Sequence, residues 1–340
     1  MQAEWDHHEA VWLAWPSHRE LWGDALGDVQ AAFVQLCEGI LNIGADGMPR
    51  GESLQILVRT GDYAEQAHKI LSKLPHTFLH PIEYGDIWLR DTAPLFVRQT
   101  KTPTPALAAV CFRFNGWGGK YVLEHDDAVN FAIAKSSRMP TVIREFVLEG
   151  GSIEVDGEGT VLTTRQCLLN PNRNPGMAQA AIENELKMVG AQKVWWVTEG
   201  LLNDHTDGHI DTIARFVAPG VVVAMEPGSP DDPNAKVLEQ ILDELRAMTD
   251  AKGRTLDVIT MPSPGKIVDD DGAIMPASYV NFYIANTSVI VPQYGCANDE
   301  AALRAVEGMF PTRKIVGVGA RKLLAGGGSF HCISQQQPSV

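Results

Sequence analysis

One order of hydrophobic and polar positions recurs along this chain, and it predicts a strand, a turn, a second strand, a helix and a third strand. In the clearest copy, residues 152–155 and 160–164 read as two strands around a Gly-rich turn at 156–159. Residues 175–189 carry apolar side chains at helical spacing, and 193–197 form a further strand-like run. We therefore predict a ββαβ unit over this stretch.

The same order returns four more times. Strands and helices are predicted at 10–15, 21–43 and 54–58; at 95–98, 108–112, 126–135 and 141–147; at 210–217, 221–225, 234–251 and 256–260; and at 279–285, 288–292, 299–309 and 314–318. Five units of roughly 60 to 70 residues indicate a solenoid or a propeller. A closed ring is favoured because it protects the sheet edges. A mixed α/β domain with fortuitous regularity is the alternative.

The chain contains no Pro/Ser-rich linker between these units, so we predict one catalytic domain over residues 1–340. The Pro-Thr-Pro at 103–105 is interpreted as a hairpin loop within a unit. The first residues have neither a basic nor an apolar region of the kind found in signal peptides. No apolar run approaches the roughly 18 residues of a membrane span, so we expect no membrane partner.

Charge and cysteine content narrow the function further. A formal net charge of −14 makes nucleic acid an improbable partner. An acidic protein suits a small cationic substrate, although the same balance is also explained by solubility alone. The number of cysteines, five, is odd, and the sequence contains no Cys-x-x-Cys pair. We therefore expect free thiols and a cytoplasmic location.

Residues able to do chemistry follow the last strands of successive units. Asp91 and Glu149 are 58 residues apart, Glu149 and His209 are 60 apart, and His209 and Cys332 are 123 apart, which is about two repeats. In a ring of units, equivalent positions converge on one axis. We therefore predict that these four side chains meet at one end of that axis.

Local context strengthens two of these assignments. If His209 and Asp211 lie in a strand, positions i and i+2 share one face, so both side chains would point to the axis. Cys332 follows three glycines, whose backbone N–H groups could approach a ligand and lower the pKa of the thiol. Structural interpretations stay open: Cys332 as a small buried residue, and Asp91 and Glu149 as turn caps. The other four cysteines are interpreted as structural.

The segment from Asp204 to Asp211 also permits a metal site, because it carries His205, Asp207 and His209 among plausible ligands. It lacks the helical His-x-x-x-His pairing with a Glu base, and its spacing matches no closed zinc site. We therefore predict no metal and no other cofactor.

At these residues the sequence resembles the agmatine deiminase family, within the guanidino-group-modifying superfamily that also includes bacterial peptidylarginine deiminases. The matching motifs are WLRDTAP (88–94), FNGWGGKY (114–121), LEGGS (148–152), LLNPNRNP (168–175), TDGHID (206–211), ASYVNFY (277–283), GGGSFHC (326–332) and QQQP (335–338). The resemblance spans nearly the whole chain. It implies a five-bladed α/β-propeller with pseudo-fivefold symmetry, with agmatine as substrate and N-carbamoylputrescine and ammonia as products.

The expected mechanism follows from the chemistry of a planar, cationic guanidinium. Asp91 and Asp211 would bind it bidentately, and Glu149 would hydrogen-bond His209 or the guanidinium. The Cys332 thiolate would attack the central carbon, with His209 as acid and then base. Substrate-binding roles are predicted for Trp88, Trp117, Asp207 and Gly327.

Three functional questions stay open at this point. The substrate could be peptidyl arginine or another guanidine, with the same thiol chemistry. The rival classes are a metal-dependent amidinohydrolase and a catalytically silent binding scaffold. A homodimer is compatible with the sequence, which does not fix the oligomeric state.

Overall fold

A computed structural model of the chain describes residues 1–99 and 106–340. The predicted hairpin loop at 103–105 lies outside the described residues. Strands in the described part are β1 His8–Ala14, β2 Ser53–Val58, β3 Thr77–Pro81, β4 Leu95–Gln99, β5 Ala106–Arg113, β6 Thr141–Val147, β7 Ile153–Val155, β8 Thr160–Thr164, β9 Lys193–Val197, β10 Ala214–Ala218, β11 Val221–Glu226, β12 Asp257–Pro262, β13 Tyr283–Ile284, β14 Ser288–Gln293, β15 Lys314–Gly319 and β16 Gln335–Pro338.

The α-helices in the same part of the chain are α1 Arg19–Trp22, α2 Leu26–Leu41, α3 Asp62–Leu71, α4 Leu89–Thr92, α5 Gly116–Gly119, α6 Val129–Ser137, α7 Arg165–Leu168, α8 Gln179–Leu186, α9 Ala235–Arg246, α10 Asp299–Met309 and α11 Arg321–Leu324. Short 3-10 turns occur at Gly23–Ala25, Gly150–Ser152, Lys187–Val189 and Ile210–Thr212. None of these helices is both long and apolar enough to cross a membrane.

The strands form five separate sheets, one for each predicted unit. Four sheets have three strands, in the orders β4-β5-β6, β7-β8-β9, β10-β11-β12 and β13-β14-β15. In each, the first pair is antiparallel and the second pair is parallel. The parallel pair is joined through a helix, as a parallel connection requires. The ββαβ repeat is therefore present, and the mixed α/β class is confirmed.

The first sheet departs from the predicted unit. It has four strands in the order β16-β1-β2-β3, so its antiparallel member comes from the other end of the chain. Trp12 of β1 is opposite Gln335 of β16, while β1, β2 and β3 are mutually parallel. The prediction omitted α3, β3 and this long-range pairing, because a local hydrophobic pattern carries no information on strands hundreds of residues apart.

Two other predicted strands are shorter than expected, and both shortened segments border the reactive cysteine. Only Tyr283–Ile284 of the predicted strand 279–285 pairs in a sheet. The preceding Asn281 instead directs its side chain to Cys332 and to the backbone of Asp211. The predicted strand 210–217 begins with the 3-10 turn Ile210–Thr212 and becomes a strand only at Ala214. Site geometry thus overrides strand propensity at both places.

Buried apolar side chains fill the space between the sheets and their helices in three clusters. Helix α9, for example, buries Leu238, Ile241, Leu242 and Leu245 at i, i+3, i+4 and i+7, which is the spacing of one helical face. The five cysteines are all free thiols, as the sequence predicts. The cytoplasmic location stays a prediction.

Candidate active site

Cys332 lies in the loop between α11 and β16, with only 5% of its surface exposed. Its Sγ atom accepts a hydrogen bond from Nδ2 of Asn281 at 3.1 Å and lies 3.5 Å from Oδ2 of Asp211, within reach of an S–H donor. Its backbone carbonyl accepts from the Arg90 N–H at 3.1 Å. A Cβ on Gly328 would stand 2.9 Å from that sulfur, so a glycine is needed for the loop to pack against the thiol. Contacts to its side chain, its backbone and its loop therefore fix the position of Cys332.

The side chains predicted to converge do so around the backbone of Gly151. A Cβ on Gly151 would lie 2.7 Å from Nδ1 of His209, 2.9 Å from Oδ1 of Asp91 and 3.1 Å from Oδ2 of Asp211. The absence of a side chain at Gly151 is what allows three polar groups from two separate segments, helix α4 and the turn before β10, to approach so closely. Cys332 joins the group through Asp211. The structure therefore brings together all five residues predicted to be catalytic, with Glu149 directly before the Gly150–Ser152 turn.

Asp91 is placed by the short helix α4, whose end brings its carboxylate inward. Oδ1 accepts from the Gly151 N–H at 2.9 Å, and Oδ2 accepts from Nε1 of Trp117 at 2.9 Å. His209 Nδ1 lies 3.8 Å from Oδ1. Burial raises the pKa of Asp91, and the neighbouring carboxylates of Asp211 and Glu149 raise it further. A cation bound here would relieve that repulsion.

Asp211 is ionised by a different environment. Burial alone would raise the pKa of this carboxyl, but the hydrogen bond and charge of His331 hold it below its usual value. Nδ1 of His331 lies 2.6 Å from Oδ2 of Asp211. The other oxygen, Oδ1, is buried without a hydrogen-bond partner among the described residues. A carboxylate oxygen is therefore free to accept from a ligand.

His209 is positioned by its own loop rather than by a strand. Its backbone N–H donates to Oδ2 of Asp204 at 3.1 Å, and its ψ of 137° leads directly into the 3-10 turn Ile210–Thr212. The expectation that His209 and Asp211 share a strand face is therefore wrong, although the two side chains do converge. Across the part of the chain that the structure describes, neither ring nitrogen of His209 has a hydrogen-bond partner. The imidazole is free to transfer protons.

Glu149 is anchored by an arginine that the sequence analysis missed. Arg173 Nε donates to Oε1 of Glu149 at 2.6 Å, and both side chains are fully buried. Of the two partners predicted for Glu149, His209 and the guanidinium, His209 is not bonded to it: Oε2 of Glu149 is buried and has no hydrogen-bond partner among the described residues. That oxygen is left to accept from a ligand. Arg173 belongs to the LLNPNRNP motif, and its place in that motif was the one signal in the sequence that could have identified it.

The thiol environment also corrects an expectation. The pKa of Cys332 lies well above the ordinary thiol value, because the group is buried and the carboxylates of Asp211 and Asp91 disfavour a second negative charge. The Gly-rich loop does not produce a thiolate by itself. The sequence could not reveal this, because the pKa depends on two acids located 121 and 241 residues away in sequence.

A cavity of about 300 Å³ reaches this site from the surface, and both Asp91 and Cys332 line it. Three of the four predicted substrate-binding residues, Trp88, Trp117 and Gly327, line it as well. Asp207 does not. Its carboxylate accepts from Lys120 at 2.7 Å and from Arg173 at 2.7 Å, which fixes the loop beside the cavity. Asp207 therefore lies beside the cavity rather than in its wall, and its predicted role in substrate binding stays a prediction.

A buried charge network behind Cys332 was also missed. Glu4 accepts hydrogen bonds from Arg90 at 3.2 Å and from Nε2 of His331 at 2.8 Å, and it forms an ion pair with Arg215 at 2.9 Å. Burial would raise the pKa of Glu4, but Arg215, His331 and Arg90 hold it well below its usual value. The network leads through His331 to Asp211, so the segment near residue 4 supports the reactive centre.

Among the described residues, one buried group of side chains could hold a metal ion. The ligand atoms of Glu149, Cys167 and His209 lie within 4.8 Å of one another. This is not the set suggested by the Asp204–Asp211 segment. Burial raises the pKa of Cys167 well above its ordinary value, and Arg173 already neutralises Glu149. Both features favour a thiol and an ion pair over a metal-bound thiolate.

Comparison with known proteins decides the family. The model of the Porphyromonas-type peptidyl-arginine deiminase family matches residues 1–338. This chain belongs to that family. An agmatine deiminase of Pseudomonas aeruginosa (strain LESB58) is 36% identical over 365 residues, spanning 100% of this chain and 95% of that protein. The family predicted from the motifs is thus confirmed.

Two solved structures of the family extend the comparison. The structure described as agmatine deiminase of Enterococcus faecalis catalysing its reaction superimposes with a TM-score of 0.88 at 33% identity, covering 100% of this chain and 95% of that one. A Cys-to-Ser variant of C. jejuni agmatine deiminase with substrate bound gives 0.84 at 27% identity, with 99% and 95% coverage. Both matches extend over essentially the full length of the fold described above.

Proposed function

We propose that this protein is an agmatine deiminase, which hydrolyses agmatine to N-carbamoylputrescine and ammonia through a covalent bond to Cys332. The observation that carries the proposal is a set of buried polar atoms without hydrogen-bond partners among the described residues: Oε2 of Glu149, Oδ1 of Asp211 and the ring nitrogens of His209. The two carboxylate oxygens are acceptors, and a neutral imidazole adds one accepting nitrogen. Each unpaired buried group costs about 1–3 kcal/mol. An alkylguanidinium is a planar cation with about five N–H donors, and it would satisfy several of these acceptors at once.

The first half of the reaction begins with the bound cation. Asp91 and Asp211 accept hydrogen bonds from the guanidinium, which places its central carbon near Cys332. The positive charge offsets the two carboxylates that raise the thiol pKa, so Cys332 gives up its proton to His209 and the thiolate forms in the complex. Sulfur attacks the central carbon, and one C–N bond breaks. His209 protonates the departing nitrogen, which leaves as ammonia.

The second half reverses the roles of the same groups. The remaining intermediate is an S-alkylthiouronium on Cys332. His209, now neutral, takes a proton from water as the water oxygen attacks the same carbon. The C–S bond breaks, the thiol is regenerated and the urea-type product leaves. The substrate-bound Cys-to-Ser variant of the C. jejuni relative supports a cysteine as nucleophile.

Agmatine is favoured over larger substrates by the cavity. A volume of about 300 Å³ lined by indole rings suits a short alkyl chain rather than a folded protein surface. Two carboxylates line the described cavity wall, Asp86 and Asp91, against one lysine, Lys322. This balance suits a substrate with a second positive charge better than an α-carboxylate.

The arrangement of the five sheets is also inferred from the convergence of the site residues. We infer that the five sheets form the blades of one five-bladed α/β-propeller with pseudo-fivefold symmetry, and that residues 1–340 constitute a single catalytic domain. The convergence of residues from successive units around Gly151 supports this arrangement, and the pairing of β16 with β1 would close the ring.

Ammonia release from agmatine, L-arginine and a blocked arginine peptide tests the function under matched conditions. We expect the highest kcat/KM for agmatine, with N-carbamoylputrescine as the second product. A peptide substrate with the highest value would contradict agmatine as substrate but retain the thiol chemistry. Urea in place of ammonia would instead indicate an amidinohydrolase.

A further inference from the structure

Asp86 is a second carboxylate in the cavity that holds Cys332, and the mechanism above does not use it. It is 6% exposed. Oδ1 accepts from Nε1 of Trp22 at 3.0 Å, and Oδ2 accepts from Nε1 of Trp88 at 2.8 Å. Each oxygen can accept a further hydrogen bond. Asp86 is therefore a fixed anion between two indole rings, with acceptor capacity to spare.

The backbone beneath Asp86 is fixed as well. Oδ1 of Asp126 accepts from the N–H groups of Gly85 at 2.7 Å and Asp86 at 3.3 Å. A Cβ on Gly85 would lie 2.5 Å from Cβ of Leu123, so this approach requires glycine. A carboxylate fixed in this way is preorganised to bind a ligand at little entropic cost.

Trp88 connects Asp86 to the reacting centre. One edge of its indole donates to Asp86, while its Cζ3 would stand 2.8 Å from a Cβ on Gly328, the glycine that also packs against the Cys332 sulfur. Asp86 and the sulfur are thus separated by about one indole ring and its contacts. A short alkyl chain that begins at a guanidinium on Cys332 could run along this ring to the carboxylate.

Other charged groups on the cavity wall do not compete for this role. Asp91 is committed to Trp117, Gly151 and the proposed guanidinium. Lys322 also lines the cavity, but it is cationic. Asp207 does not line the cavity, and its carboxylate is paired with Lys120 and Arg173. Within the described residues, Asp86 is therefore the cavity carboxylate left for a second cation.

Building on the proposed function, we propose that Asp86 determines substrate specificity by binding the primary ammonium at the end of the substrate's alkyl chain, with the faces of Trp22 and Trp88 beside it. Carboxylate and indole faces both attract an ammonium in a site of low polarity. The ligand class is a guanidine whose other end is a primary amine. A substrate with a carboxylate at that end would meet Asp86 with repulsion.

The test compares agmatine with n-pentylguanidine, in which a methyl group replaces the ammonium. The measured quantity is the ratio of kcat/KM for agmatine to that for n-pentylguanidine. Because breaking a buried charge pair has large effects, we expect Asp86→Asn to lower this ratio by about 30-fold or more. Glu20→Gln is the matched control, since it removes a nearby, mostly exposed carboxylate that does not line the cavity; its ratio should stay within about twofold of wild type.

The two proposals fail in different ways. If Asp86 only braces the two indoles, Asp86→Asn would slow both substrates equally, and an unchanged ratio would overturn the inference while agmatine turnover by the wild type stands. If the wild type released ammonia from neither guanidine, the proposed function itself would be wrong.

The wild type provides a test that does not require Asp86→Asn to fold. Burial raises the pKa of Asp86 to about 6, so the ratio should fall as the pH is lowered through that value. Glu20 and Asp126 flank Asp86, and Asp91, His205 and Lys322 line the same cavity. His205→Gln controls for repulsion by a protonated imidazole and should retain the fall. A ratio that stays constant between about pH 8 and about pH 5 would contradict the inference.

Discussion

His331 joins Asp211 to Glu4: its Nδ1 lies 2.6 Å from Oδ2 of Asp211, and its Nε2 lies 2.8 Å from Oε2 of Glu4. Both carboxylates are buried and held below their usual pKa values. The hydrogen bond from His331 lowers the pKa of Asp211. His331 thus keeps Asp211 charged and oriented beside the thiol.

Replacing His331 tests this positioning role. His331→Asn should lower kcat/KM for agmatine by about 30-fold or more, because it removes one partner of a buried charge pair. It should also shift the pH profile, since Asp211 loses the group that lowers its pKa. His8→Asn is the control: His8 is equally buried beside Glu52 and does not line the cavity that holds Cys332. A loss of stability with an unshifted pH profile in His331→Asn would indicate a purely structural role.

The nucleophile assignment is tested with a pair of buried cysteines. Cys332→Ser should abolish turnover while the circular dichroism spectrum stays native, and mass spectrometry of quenched wild type should find an adduct on the Cys332 peptide. Cys167→Ser should stay active, although that thiol is near His209. If Cys167→Ser were inactive and Cys332→Ser fully active, the nucleophile would be Cys167, and the assignment of Cys332 would be wrong.

The elevated thiol pKa gives Asp211→Asn two opposite effects. Removing this negative charge should lower the pKa of Cys332, so iodoacetamide should alkylate the free thiol faster at neutral pH than it does in the wild type. Agmatine turnover should fall, because the guanidinium loses a partner. Rates of alkylation would be followed by peptide mass spectrometry. Slower alkylation in Asp211→Asn would contradict the electrostatic account of this thiol.

Asp91 and Asp207 are both acidic loop residues, but we expect unequal effects of their substitution. Asp91→Asn removes a cavity carboxylate that would contact the guanidinium, which typically costs about 2–5 kcal/mol. Asp207→Asn weakens ion pairs with Lys120 and Arg173 outside the cavity and should act mainly on thermal stability. Steady-state kinetics and melting curves on both variants compare the two. Equal small effects on kcat/KM would place the guanidinium elsewhere.

Metal dependence separates the thiol mechanism from an amidinohydrolase. Dialysis against chelators should leave agmatine turnover unchanged, and elemental analysis should find no stoichiometric metal in the purified protein. Activity lost on dialysis and restored by one divalent ion would indicate that Glu149, Cys167 and His209 act as ligands.

The sequence predicted the periodic part of this molecule well. Helix α10 and strands β6, β8 and β9 occur at the predicted residues, because regular apolar spacing and turn residues are local signals. The placement of Asp91, Glu149, His209 and Cys332 together followed from one further assumption, that equivalent positions of repeated units meet. Because the units repeat, a local pattern predicts which distant residues lie together. The convergence of these four residues could therefore be predicted from the sequence.

The missed features depend on contacts that have no local signature. Glu4 and His331 are 327 residues apart in sequence, and Arg173 reads as an ordinary loop residue until Glu149 is placed beside it. The pKa of Cys332 is raised, whereas the sequence predicted that it would be lowered, for a similar reason. A Gly-rich loop is visible in the sequence, but two distant carboxylates and the depth of burial are not.

The pairing of β16 with β1 has a consequence for how the protein acquires its reactivity. Nε1 of Trp12 donates to Oε1 of Gln337 across 325 residues of chain, and Cys332 stands just before that strand. Contacts this distant in sequence close large loops and tend to form late in folding. Until they form, we expect Cys332 to be an exposed thiol without its carboxylate neighbours. Alkylation of Cys332 during refolding should therefore cease in the same slow phase in which agmatine turnover returns, so assembly of the ring also controls when the thiol is shielded.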